Sequence, residues 1–126
     1  MLKYFMLAVA LVAIPAAGFA HGPAPAAAHG GLVAESSAEQ WVELVIKGDE
    51  IVVYVSDENN KPIVGAAISG KAMILSGGKN ETAALAPSAA NSLTGKLAAP
   101  VAGKATIVVT LTVSGKSAQV RFVVPQ

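Results

Sequence analysis

Near the C-terminus, Thr106, Val108, Thr110 and Thr112 alternate strictly with Ile107, Val109, Leu111 and Val113. A period of two residues sends one set to each face, which a strand does and a helix does not. After Ser114-Gly115-Lys116 the pattern resumes, with Ala118, Val120, Phe122 and Val124 set against Ser117, Gln119, Arg121 and Val123. Two such runs joined by a short turn make an antiparallel hairpin, and its apolar face has to be covered by further sheet. The chain contains no cysteine, so the fold cannot rely on disulfides. Burial of these alternating faces is therefore what must hold it together.

The same texture begins at Gln40. Trp41-Val-Glu-Leu-Val-Ile-Lys47 places Val42, Leu44 and Ile46 on one face, Gly48-Asp49 signals a turn, and Glu50 to Ser56 is a second β-branched run. These predict a hairpin. Asp57 to Pro62 is a polar turn, and Ile63 to Ala66 lead into a third strand that continues through Ile68 towards Leu75, with a bend at Gly70. Ser76-Gly77-Gly78-Lys79-Asn80 is a Gly-rich turn before a weaker strand over Glu81 to Ala86, and a loop at 87–91 precedes another over Ser92 to Ala98. About seven short strands with regular turns and no helix after residue 40 predict an all-β antiparallel sandwich of immunoglobulin-like or transthyretin-like size over residues 40–126.

Upstream of this domain the chain changes character. Lys3 gives a basic start, Tyr4 to Ile14 is apolar, Pro15 breaks the run, and small residues follow through Ala20. This is the pattern of a cleavable secretory signal over residues 1–20, too short for a membrane anchor. Cleavage after Ala20 and cleavage after Gly18 both satisfy the small-residue rule. Without a cysteine the protein cannot be a lipoprotein. The expectation is a periplasmic protein with no membrane span once mature. Residues 21–39, rich in Ala, Pro and Gly, read as a flexible tether.

Removing residues 1–20 removes Lys3 and leaves eight basic against eight acidic residues. Such a balanced surface argues against nucleic acid and against anionic lipid as partners. Thiolate metal sites and cysteine nucleophiles are excluded outright. Gly77-Gly78-Lys79 lacks the spacing and the following helix of a phosphate loop, and reads as a hairpin turn. Ser36, Ser37 and Ser88 have no positioned histidine base, so hydrolytic triad chemistry is not expected. The acidic residues are scattered, and Asp49, Glu50, Asp57 and Glu58 fall in turns as solvated charges. Asp57 with Asn59 and Asn60 lacks the spacing of an EF-hand calcium loop. Trp41, at a strand start, reads as an anchor at the edge of the core. No enzyme is expected.

Only two histidines occur, His21 and His29, each followed by Gly and both within the tether. Cleavage after Ala20 makes His21 the N-terminus, where α-amine and imidazole together chelate Cu²⁺. Cleavage after Gly18 leaves Phe19-Ala20-His21, whose amine, two amides and imidazole suit square-planar Cu²⁺ or Ni²⁺. His29 adds a third-party imidazole, Gly30-Gly31 lets the backbone approach, and Glu35 or Glu39 offers oxygen. The plainer alternative is that both histidines are solvated residues of a linker. Met73, alone within its strand, does not make a Cu(I) site.

Five short segments carry a resemblance: His29-Gly30-Gly31, Glu43-Leu44-Val45, Tyr54-Val55-Ser56-Asp57, Lys61-Pro62 and Leu75-Ser76-Gly77-Gly78-Lys79. Together they resemble small exported proteobacterial proteins and segments of periplasmic adaptor subunits of heavy-metal efflux systems, over most of residues 29–124. In that family a second His often stands just before Glu-Leu-Val, where this chain has Trp41. Asp57 through Ala66 is also similar to the Asp-x-x-x-x-Pro-x-x-Gly-Ala turn of transthyretin-like and carboxypeptidase-regulatory β-sandwiches, which bears on fold alone.

The expectation is thus a non-enzymatic periplasmic accessory protein. It would hold Cu²⁺, Ni²⁺ or Zn²⁺ through His21 and His29, with Glu35 or Glu39, and present or buffer the ion near an efflux or envelope partner. The alternative is a metal-independent interaction module that docks a partner on an exposed strand edge.

Overall fold

The computed structural model describes residues 23–89, 91–101 and 103–125. Eight antiparallel strands appear in chain order: β1 (Leu32–Glu35), β2 (Trp41–Lys47), β3 (Glu50–Ser56), β4 (Ile68–Ser76), β5 (Lys79–Pro87), β6 (Ser92–Lys96), β7 (Ala105–Val113) and β8 (Lys116–Val124). A single 3-10 turn at Gly65–Ala67 precedes β4. The all-β expectation holds, and no described helix is long and apolar enough to cross a membrane.

All eight strands belong to one sheet in the order β1-β2-β3-β6-β5-β4-β7-β8. The meander β4-β5-β6 is flanked by β3 against β6 and by β7 against β4, two overlapping Greek keys. Strand β5 turns the corner. Its residues Lys79 to Leu85 pair with β4, whereas Ala86 and Pro87 pair with Thr94 and Leu93 of β6. The sheet wraps until its two end strands meet, and the N–H of Ser37, just beyond β1, donates to the Gln119 carbonyl of β8 at 2.9 Å. The Gln119 N–H in turn donates to Ser37 Oγ at 3.0 Å. The sheet is nearly closed.

Tight turns fix the register. At Gly77-Gly78 both residues have positive φ, 59° and 79°, the mirror-image turn that matches strand twist in a two-residue hairpin. That geometry pairs Ser76 with Lys79 and carries β4 back along β5. At the Asp57 turn, Oδ1 accepts from the N–H groups of Asn59 and Lys61, each at 2.9 Å, so the carboxylate organises the loop.

The alternating residues fill the interior. Ile107, Val109 and Leu111 of β7 are fully buried, while Thr106, Val108, Thr110 and Thr112 between them are half-exposed. They meet Val42 and Leu44 of β2, Ile51, Val53 and Val55 of β3, Leu93 of β6, and Phe122 of β8. Ile46, on the same face of β2, packs at the margin of that core.

Two expectations need correction. Residues 32–35, read as part of a flexible tether, form β1, and Leu32, Val33, Ala34 and Glu35 pair with Leu44, Glu43, Val42 and Trp41. Four residues are too few to show a period, so this strand owes its existence to the β2 edge it covers. The turn behind it is equally built. Ser36 is buried, its N–H donates to the Gln40 carbonyl at 2.8 Å, and its hydroxyl accepts from the N–H of Ala38 and of Gln40. Among the described residues the strand count is therefore eight. Ile63 and Val64 lead into the 3-10 turn, and the pairing of β4 begins at Ile68.

Replacing Ile107, fully buried among other strands, with Ala is expected to cost about 2–5 kcal/mol. Thr110→Ala, on the outer face of the same strand, is expected to change stability by less than about 0.5 kcal/mol. Urea unfolding followed by circular dichroism checks both, and equal effects would contradict the assignment of faces.

Candidate functional site

Strand β2 has no solvated face at its centre. Val42 and Leu44 point to the core, yet Glu43 and Val45, on the opposite face, are also buried. Burying an ionised carboxylate is costly unless it is hydrogen-bonded or paired, so the partners of Glu43 locate the unusual feature of this chain. They come from the segment just before β1. Glu43 Oε2 accepts from the backbone N–H of His29 and of Gly31, both at 2.9 Å. Its other oxygen, Oε1, lies 2.8 Å from His29 Nδ1.

The His-Gly-Gly sequence is what lets the chain reach this carboxylate. Gly30 has φ of 73°, a left-handed conformation that turns the two flanking N–H groups towards one oxygen. Gly31 lies flat on β2. A Cβ there would fall 2.3 Å from the Leu44 carbonyl oxygen and 2.9 Å from a Val45 methyl. No other residue fits so close to the strand. The His29 ring completes the clamp by stacking on Tyr54, with centroids 3.6 Å apart and planes inclined by 4°. Tyr54 stands there because β3 pairs it directly with Glu43.

The charge state follows from this geometry. Burial by itself raises the Glu43 carboxyl, but the hydrogen bonds from the His29 ring, the Gly31 N–H and the His29 N–H, with the electrostatic pull of His29, outweigh it. Together they hold Glu43 below its ordinary value. An ionised carboxylate only accepts, so His29 carries a proton on Nδ1. In the neutral ring the lone pair then resides on Nε2. No described residue hydrogen-bonds that nitrogen, and the side chain is 43 % exposed.

His29 and Glu43 line a mostly apolar pocket of about 220 Å³ together with Trp41, Tyr54, Ser56, Asn60, Pro62 and Asn91. Trp41, expected to anchor the core edge, instead lies on the outer face of β2 and lines this pocket.

Of the residues singled out as metal ligands, His29 is at the site. Glu35 ends β1 opposite Trp41, and Glu39 sits at φ 65° in the turn that follows. Neither lines the pocket. His21 and the proposed export signal lie outside the described residues. Among those described, no three His, Cys, Asp or Glu side chains gather in one group. Glu43 and Tyr54 were not singled out as functional residues, although both stand in segments that carry the efflux-adaptor resemblance. No family model matches the chain, and neither does any curated protein or solved structure.

Because Glu43 is depressed in the folded state, its contribution is complete above the ordinary carboxylate range. It is lost as pH falls through the depressed value. Glu43→Gln is expected to destabilise the protein by about 1–2 kcal/mol at neutral pH, since two part-buried N–H groups and the His29 ring lose a charged acceptor. The variant should also lose part of the acid sensitivity of the wild type. Urea unfolding of both proteins between about pH 7 and pH 3 reads this, and parallel curves would contradict the clamp.

Proposed function

We propose that this is a non-enzymatic periplasmic accessory protein that binds a transition-metal ion through His29 and presents or buffers it near a heavy-metal efflux system. The observation that carries the reading is the Glu43 carboxylate on His29 Nδ1. Histidines that ligate metals commonly give their second nitrogen to a carboxylate, which fixes the tautomer, orients the ring and makes the ligating nitrogen more basic. Here that arrangement is built from a buried acid, two backbone N–H groups and a stacked tyrosine, and it leaves Nε2 as the donor.

An imidazole donor suits Cu²⁺, Ni²⁺ or Zn²⁺, and the absence of cysteine removes the softer thiolate sites from contention. His21 is proposed as the second nitrogen donor, eight residues upstream in the same chain. Export to the periplasm rests on the pattern of residues 1–20, and the link to efflux on the five short segments named above. Glu35 and Glu39 are not retained as ligands, because the pocket is walled by other residues.

Calorimetric titration of the exported protein with Cu²⁺, Ni²⁺ and Zn²⁺ is expected to show a single site for at least one of them. His29→Ala should abolish that site. Glu43→Gln should weaken it by about 10–100-fold through loss of ring orientation. Binding that survives His29→Ala unchanged would sink the reading.

A further inference from the structure

We infer that the outer face of β4, β7 and β8 rests on an anionic phospholipid surface, with the His29 clamp turned away from it. This face is separate from the clamp, and the inference is independent of the metal reading.

The strand registers assemble the face. Met73 of β4 stands opposite Val108 of β7, and Val108 opposite Arg121 of β8. In the next row Leu75 stands opposite Thr106, and Thr106 opposite Val123. Met73, Leu75, Val108 and Val123 thus form one block on the side of the sheet away from the core. Four large apolar side chains are exposed among the described residues, and this block holds three of them: Met73 at 39 %, Leu75 at 38 % and Val123 at 57 %. Apolar side chains gathered in water mark a contact with another surface.

Cations frame the block. Arg121 ends the Met73 row, and Lys71 lies two residues before Met73 on the same face of β4. Lys79 pairs with Ser76, next to Leu75. The Ser76 hydroxyl donates to the Lys104 carbonyl at 3.4 Å, which brings Lys104 to the same edge. All four cations are exposed, and none forms an ion pair with a described residue. No Asp or Glu stands on the outer face of β4, β5, β7 or β8. Glu81, the one carboxylate in these strands, lies opposite the buried Ile74, and its Oε1 accepts from the Ala98 N–H. Residues 68–87 and 104–124 carry five cations against one carboxylate, and the other described residues three against seven. The balance that argues against anionic lipid therefore holds for the whole chain and fails for this half.

The composition of the face favours lipid over protein. Trp41 and Tyr54 lie on the outer face of β2 and β3, and Phe122 is in the core, so the face has none of the aromatic anchors on which protein interfaces lean. A second copy laid face to face would set cations against cations with no acid between them. A bilayer asks for less: aliphatic side chains that enter the headgroup boundary, and long cationic ones around them that reach the phosphates. In the strand order β4 and β7 stand four places from β2 and β3, so a protein resting on them holds His29 on its far side.

The test uses the full exported chain and vesicles of phosphatidylcholine alone or with about one-third phosphatidylglycerol, read by co-sedimentation. The anionic vesicles are expected to bind at least about tenfold more tightly, a preference lost at high ionic strength. Lys71→Glu with Arg121→Glu should cost about tenfold, whereas Lys47→Glu with Lys61→Glu, the same change of net charge on the other half, should cost less than about twofold. Leu75→Ser with Val123→Ser should weaken binding by about fivefold and leave its salt dependence unchanged. These positions are all exposed, so the urea midpoints should stay near that of the wild type. Brominated acyl chains should leave Trp41, the chain's single tryptophan, unquenched in the bound wild type.

No binding, or equal affinity for the two kinds of vesicle, overturns the inference. So does an equal loss in the two charge variants, or quenching of Trp41 by the brominated chains. Soluble polyglutamate that binds as tightly as the anionic vesicles, and does so regardless of Leu75→Ser with Val123→Ser, also overturns it in favour of an acidic protein partner.

Discussion

A buried carboxylate must be answered, and most of what distinguishes this chain from a plain β domain follows from how Glu43 is answered. Its place on β2 leaves it facing away from the core, on a surface that would ordinarily be wet. Instead the chain doubles back from residue 31 and lays two N–H groups and one imidazole on it. Three donors on a single carboxylate hold it ionised despite burial. The same contacts order the segment before β1, and through it they set the ring of His29. Stability and site are therefore one construction. The acid that would be a liability when bare becomes the fixed point for the imidazole of His29.

The arrangement depends on the sheet beneath it. Glu43 and Tyr54 are neighbours because the β2–β3 hairpin keeps one register from Trp41↔Ser56 to Lys47↔Glu50. A slip of one residue would turn Glu43 into the core and carry Val42 or Leu44 to the surface, so the burial of those residues enforces the register. The core in turn does without disulfides because the sheet curls around on itself. With β5 shared between β4 and β6, and Ser37 bonded to Gln119, few interior positions are left uncovered. Apart from Phe122, the deepest side chains are small or branched aliphatics, which pack into such a curled sheet without needing polar partners.

How much of this could be read from the sequence depended on length and repetition. Strands β2, β7 and β8 announce themselves by alternation over seven to nine residues, β3 by a β-branched run, and all four by short turns. Strand β1 does not, since LVAE is short and lies in a stretch dominated by Ala, Gly and Ser; its pairing with β2 is a tertiary fact. The site was half legible. His29 stood out as one of only two histidines in the sequence. Glu43, however, reads in sequence as the polar outward residue of an amphipathic strand, and Tyr54 as one aromatic in a strand of valines. Nothing local says that a carboxylate in β2, an aromatic in β3 and a backbone fourteen residues upstream of that carboxylate will converge. The resemblance to efflux adaptors contained all three segments, but as separate short motifs with no geometry to join them.

The near closure of the sheet also weighs between the two functional readings. An interaction module that accepts a partner strand needs a free edge, and among the described strands only β1 and β8 have one. In the β7–β8 hairpin the two-residue turn makes Val113 and Lys116 a hydrogen-bonded pair. Ser117, Gln119, Arg121 and Val123 are then the residues whose backbone groups point away from β7. One of these, Gln119, is already taken by Ser37, and β1 packs alongside β8. A strand added to this edge would have to part β8 from β1, and β1 continues directly from the segment that Glu43 holds. Docking at the edge would thus work against the clamp, whereas a ligand taken at His29 Nε2 leaves every one of its hydrogen bonds in place. The physical cost of opening the sheet favours the outer face of β2 and β3, where the donor nitrogen already lies.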